Sequence, residues 1–293
     1  MTSATTGNQR PPSNDALWIT TMGAWFPGER VVMRGQDLFT ELRDLSWMEL
    51  LLLGITDKRH NARQLRLFNG IWVICTSYPD PRIWNNAVAA LAGSARSTAS
   101  LAIAAATAVS EATIYGHQPL TGAMDLLQKV NACREAGKTL ENALEQILVQ
   151  ARSRGQGRPG AGGQRSIAVF PGYGRPLIRR DERIAILLGL AQELGFAQGK
   201  YLALVDAIEQ TLPMLGLELK ANAGIYMAAL AADQDMSARE FCHYVTLCFS
   251  SGFMCCYIDA LEHDAGTFFP MAITDINYIG KPTRRFVETG KRP

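Results

Sequence analysis

A chain of 293 residues, 47% hydrophobic and 19% charged, can bury a substantial core, which excludes a wholly disordered protein. Its net charge of +2 is too small to argue for nucleic acid, and residues 1–15 contain no apolar run of the kind a secretory leader needs. The cysteines (Cys75, Cys133, Cys242, Cys248, Cys255 and Cys256) and the four histidines show no metal-ligand spacing, so we expect free thiols, no metal and a cytoplasmic protein.

Residues 1–15 are polar and Pro-containing, and are expected to form a disordered tail. Trp18, Ile19, Trp25, Val31 and Val32 flank Pro27-Gly28, which predicts short extended pieces or a hairpin. Residues 34–38 are then expected to open a helix. Ser46 lies three residues before Glu49, a capping box ahead of the apolar run 50–53, with Gly54 as its stop. An amphipathic helix follows over 61–76. Tyr78-Pro79-Asp80-Pro81 ends it, because each proline drives its predecessor out of the α region.

Another helix starts at Ile83. The alanine-rich stretch 87–109, broken by Gly93, Ser94 and Arg96, suits a closely packed helix pair better than a membrane span. Helices are predicted over 121–130 and 140–151. The Gly/Arg tract 152–165 reads as a solvated loop, with a lid near a ligand pocket or a weak polyanion contact as the functional alternatives. Further helices are predicted over 184–194, over 200–212 with a stop at Pro213, and over 222–232. A long apolar helix is predicted over 238–262. The fold class is mostly α.

The most informative stretch is 166–183, SIAVFPGYGRPLIRRDER. A β-favouring run turns sharply at Pro171-Gly172-Tyr173-Gly174 and enters a basic segment ahead of a helix. Glycines let a backbone approach a ligand closely, and arginines offer bidentate donors to phosphate oxygens. Val169, Phe170, Pro171, Gly172, Tyr173 and Gly174, then Arg179 and Asp181-Glu182-Arg183, resemble the V-x-P-G-[FY]-G-H…[RK]…D-P-R segment of the citrate synthase superfamily. Residues 34–54 resemble its R-G-x-D-[IL]…S-[FW]-x-E-[VL]-x-x-L-L-x-G segment, and residues 278–287 resemble its C-terminal tail. The short spacing from Gly54 to the small-residue helices is similar to that of the compact citryl-CoA lyase-like branch.

The resemblance implies a two-domain helical fold. The large domain would take residues 16–130 and 237–293, and a small mobile CoA-binding domain would take 131–236. It also implies a homodimer, through a tail that wraps the partner. Val169 to Gly174 would hold the adenine end of coenzyme A, and Arg179 would meet a CoA phosphate, with Arg180 beside it. Asp181 and Arg183 are read as capping and locking the following helix.

The chemical residues depart from the family. Its aspartate, in N-x-D, falls on Gly224 of Asn222-Ala223-Gly224, and its second histidine is Arg175, which stays protonated and can serve only as an electrostatic partner. Its first histidine falls at Thr113 or Leu120 in two alternative registers, with His117 between them as a candidate catalytic residue. The arginines of its dicarboxylate clamp fall on Pro176, on Phe249 and near Ile273. Oxaloacetate and citrate are therefore disfavoured as ligands, because a buried dianion needs such partners.

Two functions fit. One is an enzyme acting on a CoA thioester, by acyl transfer or carbon–carbon bond formation or cleavage, with a partner other than oxaloacetate. The other is a non-catalytic scaffold that binds acyl-CoA or pairs with an active paralogue. Arg175 favours the enzyme, since an arginine facing a cleft calls for an anionic ligand. Nucleic acid through the 152–165 tract is the third and weakest reading.

Overall fold

The computed structural model describes residues 19–153, 169–174, 181–268 and 272–281. Contacts divide the chain into two compact units, residues 1–65 and 66–293.

In the first unit the predicted hairpin forms. Strand β1 (Gly23–Phe26) pairs antiparallel with β2 (Arg30–Met33), Trp25 opposite Val31, across a turn in which Gly28 adopts φ 77°. The helix expected over 34–38 is instead a second reversal. Arg34 (φ 50°) and Gly35 (φ 76°) turn the chain into β3 (Gln36–Asp37), and Leu38 N–H donates to Val31 O at 2.8 Å. Left-handed backbone at two successive residues is incompatible with a helical start. The Asp37 carboxylate then accepts the Phe39 and Thr40 N–H groups, holding a turn there as well.

Helix α1 (Trp47–Thr56) starts where predicted, with the Ser46 hydroxyl accepting Glu49 N–H. It does not stop at Gly54 but runs on to Asp57 in the left-handed conformation. Gly54 is small for another reason. The Met33 methyl lies 2.7 Å from where a Cβ would stand, and its carbonyl accepts the Arg34 guanidinium at 2.7 and 3.2 Å.

Helix α2 (Ala62–Cys75) ends before the Pro79/Pro81 turn. The predicted pair is α3 (Trp84–Ser94) and α4 (Ala99–Ser110), and both pack on α11 (Ser250–Glu262). Gly93 permits this: a Cβ there would stand 2.6 Å from Tyr257 O. Arg96, at φ 58° between the pair, donates its guanidinium to the Ala260, Leu261 and His263 carbonyls at the end of α11.

Around a second centre lie α5 (His117–Glu135), α6 (Leu140–Ser153), α7 (Arg183–Glu193), α8 (Lys200–Thr211) and α9 (Ala223–Ala232). All ten residues of α9 are buried, and it packs on α5, α7 and α8, so it forms the axis of this part.

The expected single helix over 238–262 is two. Helix α10 (Ala238–Val245) opens on a full capping box from Ser237 and Glu240, turns occupy 246–249, and α11 follows. Its composition would let the stretch cross a membrane, yet α11 packs against α3 and α4 through Phe253, Cys256, Tyr257 and Ala260. The break brings Gly252 directly onto the Ser77 carbonyl, where no larger residue fits.

Candidate functional site

The first two turns of α5 are the spine of the site. The Pro171–Gly174 turn rests on them: a Cβ at Gly122 would stand 3.0 Å from Pro171 Cγ, and one at Gly172 would stand 3.1 Å from Ala123 Cβ and 2.6 Å from Ile225 Cβ on α9. Gly172 and Gly174 have φ 88° and 94°, open to glycine at little cost. The missing Gly172 side chain thus makes room for the protein's own Ala123 and Ile225.

The aromatic residues of the turn also face inward. Phe170 and Tyr173 are fully buried, and the Tyr173 hydroxyl donates to Val205 O at 2.9 Å, while burial raises its pKa far above the ordinary tyrosine value. Their side chains hold the turn, so a ligand would meet it through its backbone.

The turn is tied to the N-terminus of α9. Gly174 N–H donates to Lys220 O at 2.6 Å, Asn222 N–H donates to Gly172 O at 2.9 Å, and the Asn222 amide donates to Gly174 O at 3.1 Å. Asn222 also caps α9 through Gly224 N–H. Asp181, which follows the basic segment, returns to the same corner: its Oδ2 accepts Ala223 N–H at 2.9 Å. Arg183 closes a fork on the carboxylate at 2.7 and 2.9 Å, with the Asp181 side chain 1% exposed and that of Arg183 23% exposed.

The pair therefore does more than start α7. It fastens α7 to α9, and the Arg183 guanidinium is committed to it. Burial opposes the Arg183 charge, but the Asp181 bonds outweigh that and raise its pKa. Burial also pushes the neighbouring Cys75 thiol and Tyr78 hydroxyl up to about 12, with the Arg183 charge opposing both.

At the corner, Gly224 stands where the resemblance expects an aspartate, and Leu120 Cδ2 lies 2.8 Å from where its Cβ would be. Of the two registers for the first histidine, Leu120 therefore adjoins the corner, whereas Thr113 is exposed in the turn before α5. His117 lies one turn before Leu120, on the same face of α5. Six residues of helix place it about 9 Å along the axis from Ala123.

The His117 ring is 3% exposed and stacks on Phe249 at 5.1 Å and 13° between planes. Nδ1 lies 3.8 Å from a Glu111 carboxylate oxygen, while Nε2 is buried with no hydrogen-bond partner among the described residues. Burial lowers its pKa below the ordinary histidine value, partly offset by the Glu111 charge.

The structure thus brings together the 169–174 turn, the 220–224 corner, Asp181, Arg183 and Leu120, with His117 one helical turn before Leu120 beside Glu111 and Phe249. Arg175, Pro176, Arg179 and Arg180 lie outside the described residues, as do residues 154–165 of the Gly/Arg tract and residues 282–293 of the tail. Sequence reasoning missed Glu111 beside His117 and the reach of Asp181 to α9. The only signal for either was the presence of acidic residues in a turn.

No protein-family model matches the chain, and no curated protein matches it by sequence. Solved structures do. Citryl-CoA lyase from Hydrogenobacter thermophilus superposes with a TM-score of 0.74 at 18% identity, over 93% of this chain and 98% of that one. ATP citrate lyase from Methanosaeta concilii, solved with (3S)-citryl-CoA, gives 0.66 at 17% identity over 93% of this chain and 43% of that one. Citrate synthase from Thermoplasma acidophilum, in a ternary complex with carboxymethyl coenzyme A and oxaloacetate, gives 0.59 at 15%, over 83% and 59% respectively. The chain therefore has the citrate synthase-like helical fold, in a compact form similar along nearly its whole length to citryl-CoA lyase.

Proposed function

We propose that the chain acts on a coenzyme A thioester, transferring an acyl group or making or breaking a carbon–carbon bond, with a partner substrate other than oxaloacetate. The observation that carries this reading is the 169–174 turn, fastened to α5 and α9 in a fold shared with citryl-CoA lyase. In this reading the turn's backbone and Arg179 hold the nucleotide end of CoA. Arg175 stabilises a carboxylate or an oxyanion, and His117 handles protons.

An oxaloacetate-like dianion is disfavoured. Phe249, on which the family resemblance puts one clamp arginine, stacks on His117, and Arg183 is engaged by Asp181. The reading includes a homodimer in the cytoplasm and hinge motion of residues 131–236 against the remainder.

Native mass spectrometry with a panel of acyl-CoAs tests it, reporting oligomeric state, CoA retention and product together. Arg175→Ala is expected to abolish ligand binding or turnover with the fold intact. Unchanged activity would remove the role of Arg175, and CoA release from acetyl-CoA plus oxaloacetate would overturn the choice of partner.

One observation favours the scaffold reading. Leu120 fills the space beside Gly224, so the corner is packed with hydrocarbon where a carboxylate is expected. Retention of acyl-CoA without α-proton exchange or product would decide for the scaffold.

A further inference from the structure

His117 presents its two nitrogens to different surroundings. Nδ1 lies 3.8 Å from Glu111 Oε2, and Nε2 faces no described partner. At 3.8 Å the Glu111 contact is electrostatic and not a hydrogen bond. A carboxylate beside Nδ1 disfavours a lone pair there and favours an N–H, and the proton on one ring nitrogen fixes what the other can do.

The ring lies flat against Phe249, and the backbone just before it packs on the Ser110 carbonyl at Gly116, where no Cβ would fit. Phe249 is uncharged, and Glu111 is the one described charged group acting on the ring.

We propose, on the reading of function above, that Glu111 is a positioning residue that keeps the His117 proton on Nδ1, leaving the Nε2 lone pair to accept the α-proton of an acyl-CoA. The step balances within the site: the Cα–H bond breaks, its proton goes to Nε2, and its electron pair moves into the thioester carbonyl as an enolate. Return of a proton from Nε2 to Cα restores the starting thioester. In heavy water the same cycle delivers deuterium, so no knowledge of the acceptor substrate is required. Glu111 touches no reacting atom, and its effect passes through the imidazole.

Two measurements on the full chain test this. In ¹⁵N-detected histidine NMR, His117→Gln identifies the His117 resonances. The wild type is expected in the Nδ1–H tautomer with a pKa below the ordinary value of about 6.5. Glu111→Gln is expected to mix the tautomers and lower the pKa further, because the carboxylate favours the imidazolium. An Nε2–H tautomer in the wild type, or no change in Glu111→Gln, overturns the proposal.

The second measurement is deuterium incorporation into acetyl-CoA in heavy water. His117→Gln is expected to lose about 100-fold or more. Glu111→Gln is expected to show a lower plateau and an acid limb moved to lower pH. Exchange unaffected by His117→Gln, or an acid limb unmoved in Glu111→Gln, also overturns it. Wild-type protein that retains no CoA in native mass spectra overturns the underlying function instead, and the NMR result separates the two failures.

Discussion

Asp181→Asn is the sharpest test of the corner. The substitution keeps the shape of the side chain and removes its charge. The native carboxylate accepts from Arg183 at 2.7 and 2.9 Å, from Arg183 N–H at 3.2 Å and from Ala223 N–H at 2.9 Å, all with a side chain 1% exposed. Asparagine can keep one acceptor oxygen in place but leaves the guanidinium, 23% exposed, without a counter-charge. Breaking a buried pair from one side typically costs about 3–5 kcal/mol. In a chain of this size about 2 °C is lost per kcal/mol, so the thermal midpoint should fall by roughly 6–10 °C.

Circular dichroism melts measure that shift, and hydrogen exchange at the Ala223 amide reports the local effect, which should be a loss of protection. The double variant Asp181→Asn/Arg183→Met removes both charges and should recover more than half of the loss. The reasoning fails if Asp181→Asn lies within about 1 kcal/mol of wild type, or if the double variant equals the sum of the single ones.

Gly172→Ala would place a side chain at φ 88° and a Cβ 2.6 Å from Ile225 Cβ, so we expect a loss of about 2 kcal/mol or more together with weakened CoA retention in native mass spectra. Gly224→Asp meets Leu120 Cδ2 at 2.8 Å and is expected to lower the thermal midpoint by overpacking. Adding Leu120→Ala should restore more of the midpoint than Leu120→Ala costs alone. The depressed His117 pKa makes the folded state bind this proton less readily than the unfolded one. Stability should therefore decline as pH falls from about 7 through the histidine range, and the decline should be shallower in His117→Gln, as urea midpoints at several pH values will show.

Local rules made much of the fold legible. Pro27-Gly28 marks a hairpin, Ser46 starts α1, and the Pro79/Pro81 pair ends α2, each through chemistry contained within a few residues. Where the sequence misled, a longer-range contact decided. Gly54 looked like a helix stop and is a seat for Met33, 21 residues earlier by number (54 − 33). Residues 246–249 contain neither Gly nor Pro, so nothing local predicts the break between α10 and α11. The same division holds at the site. Pro-Gly-Tyr-Gly is visible as a turn, but the partners that fix it are not, since Asp181 reaches Ala223 across 42 residues and Phe249 comes to His117 from the turn before α11.

The corner also bears on the choice between a working enzyme and a silent scaffold. If Gly224 and Leu120 record lost chemistry, neighbouring polar atoms should have been replaced or satisfied too, because a buried unpartnered nitrogen costs about 1–3 kcal/mol. Leu120 fits that expectation, as hydrocarbon packed on a glycine. His117 does not. One turn earlier on the same helix face, it keeps Nε2 buried without a described partner, although phenylalanine or leucine would fill the space beside Phe249 without that cost. A ligand that bonded Nε2 would relieve that cost, as a site built to bind through that nitrogen requires. In the proposed reading the proton-handling group therefore stands at the head of α5, about one helical turn from the hydrocarbon packed beside Gly224.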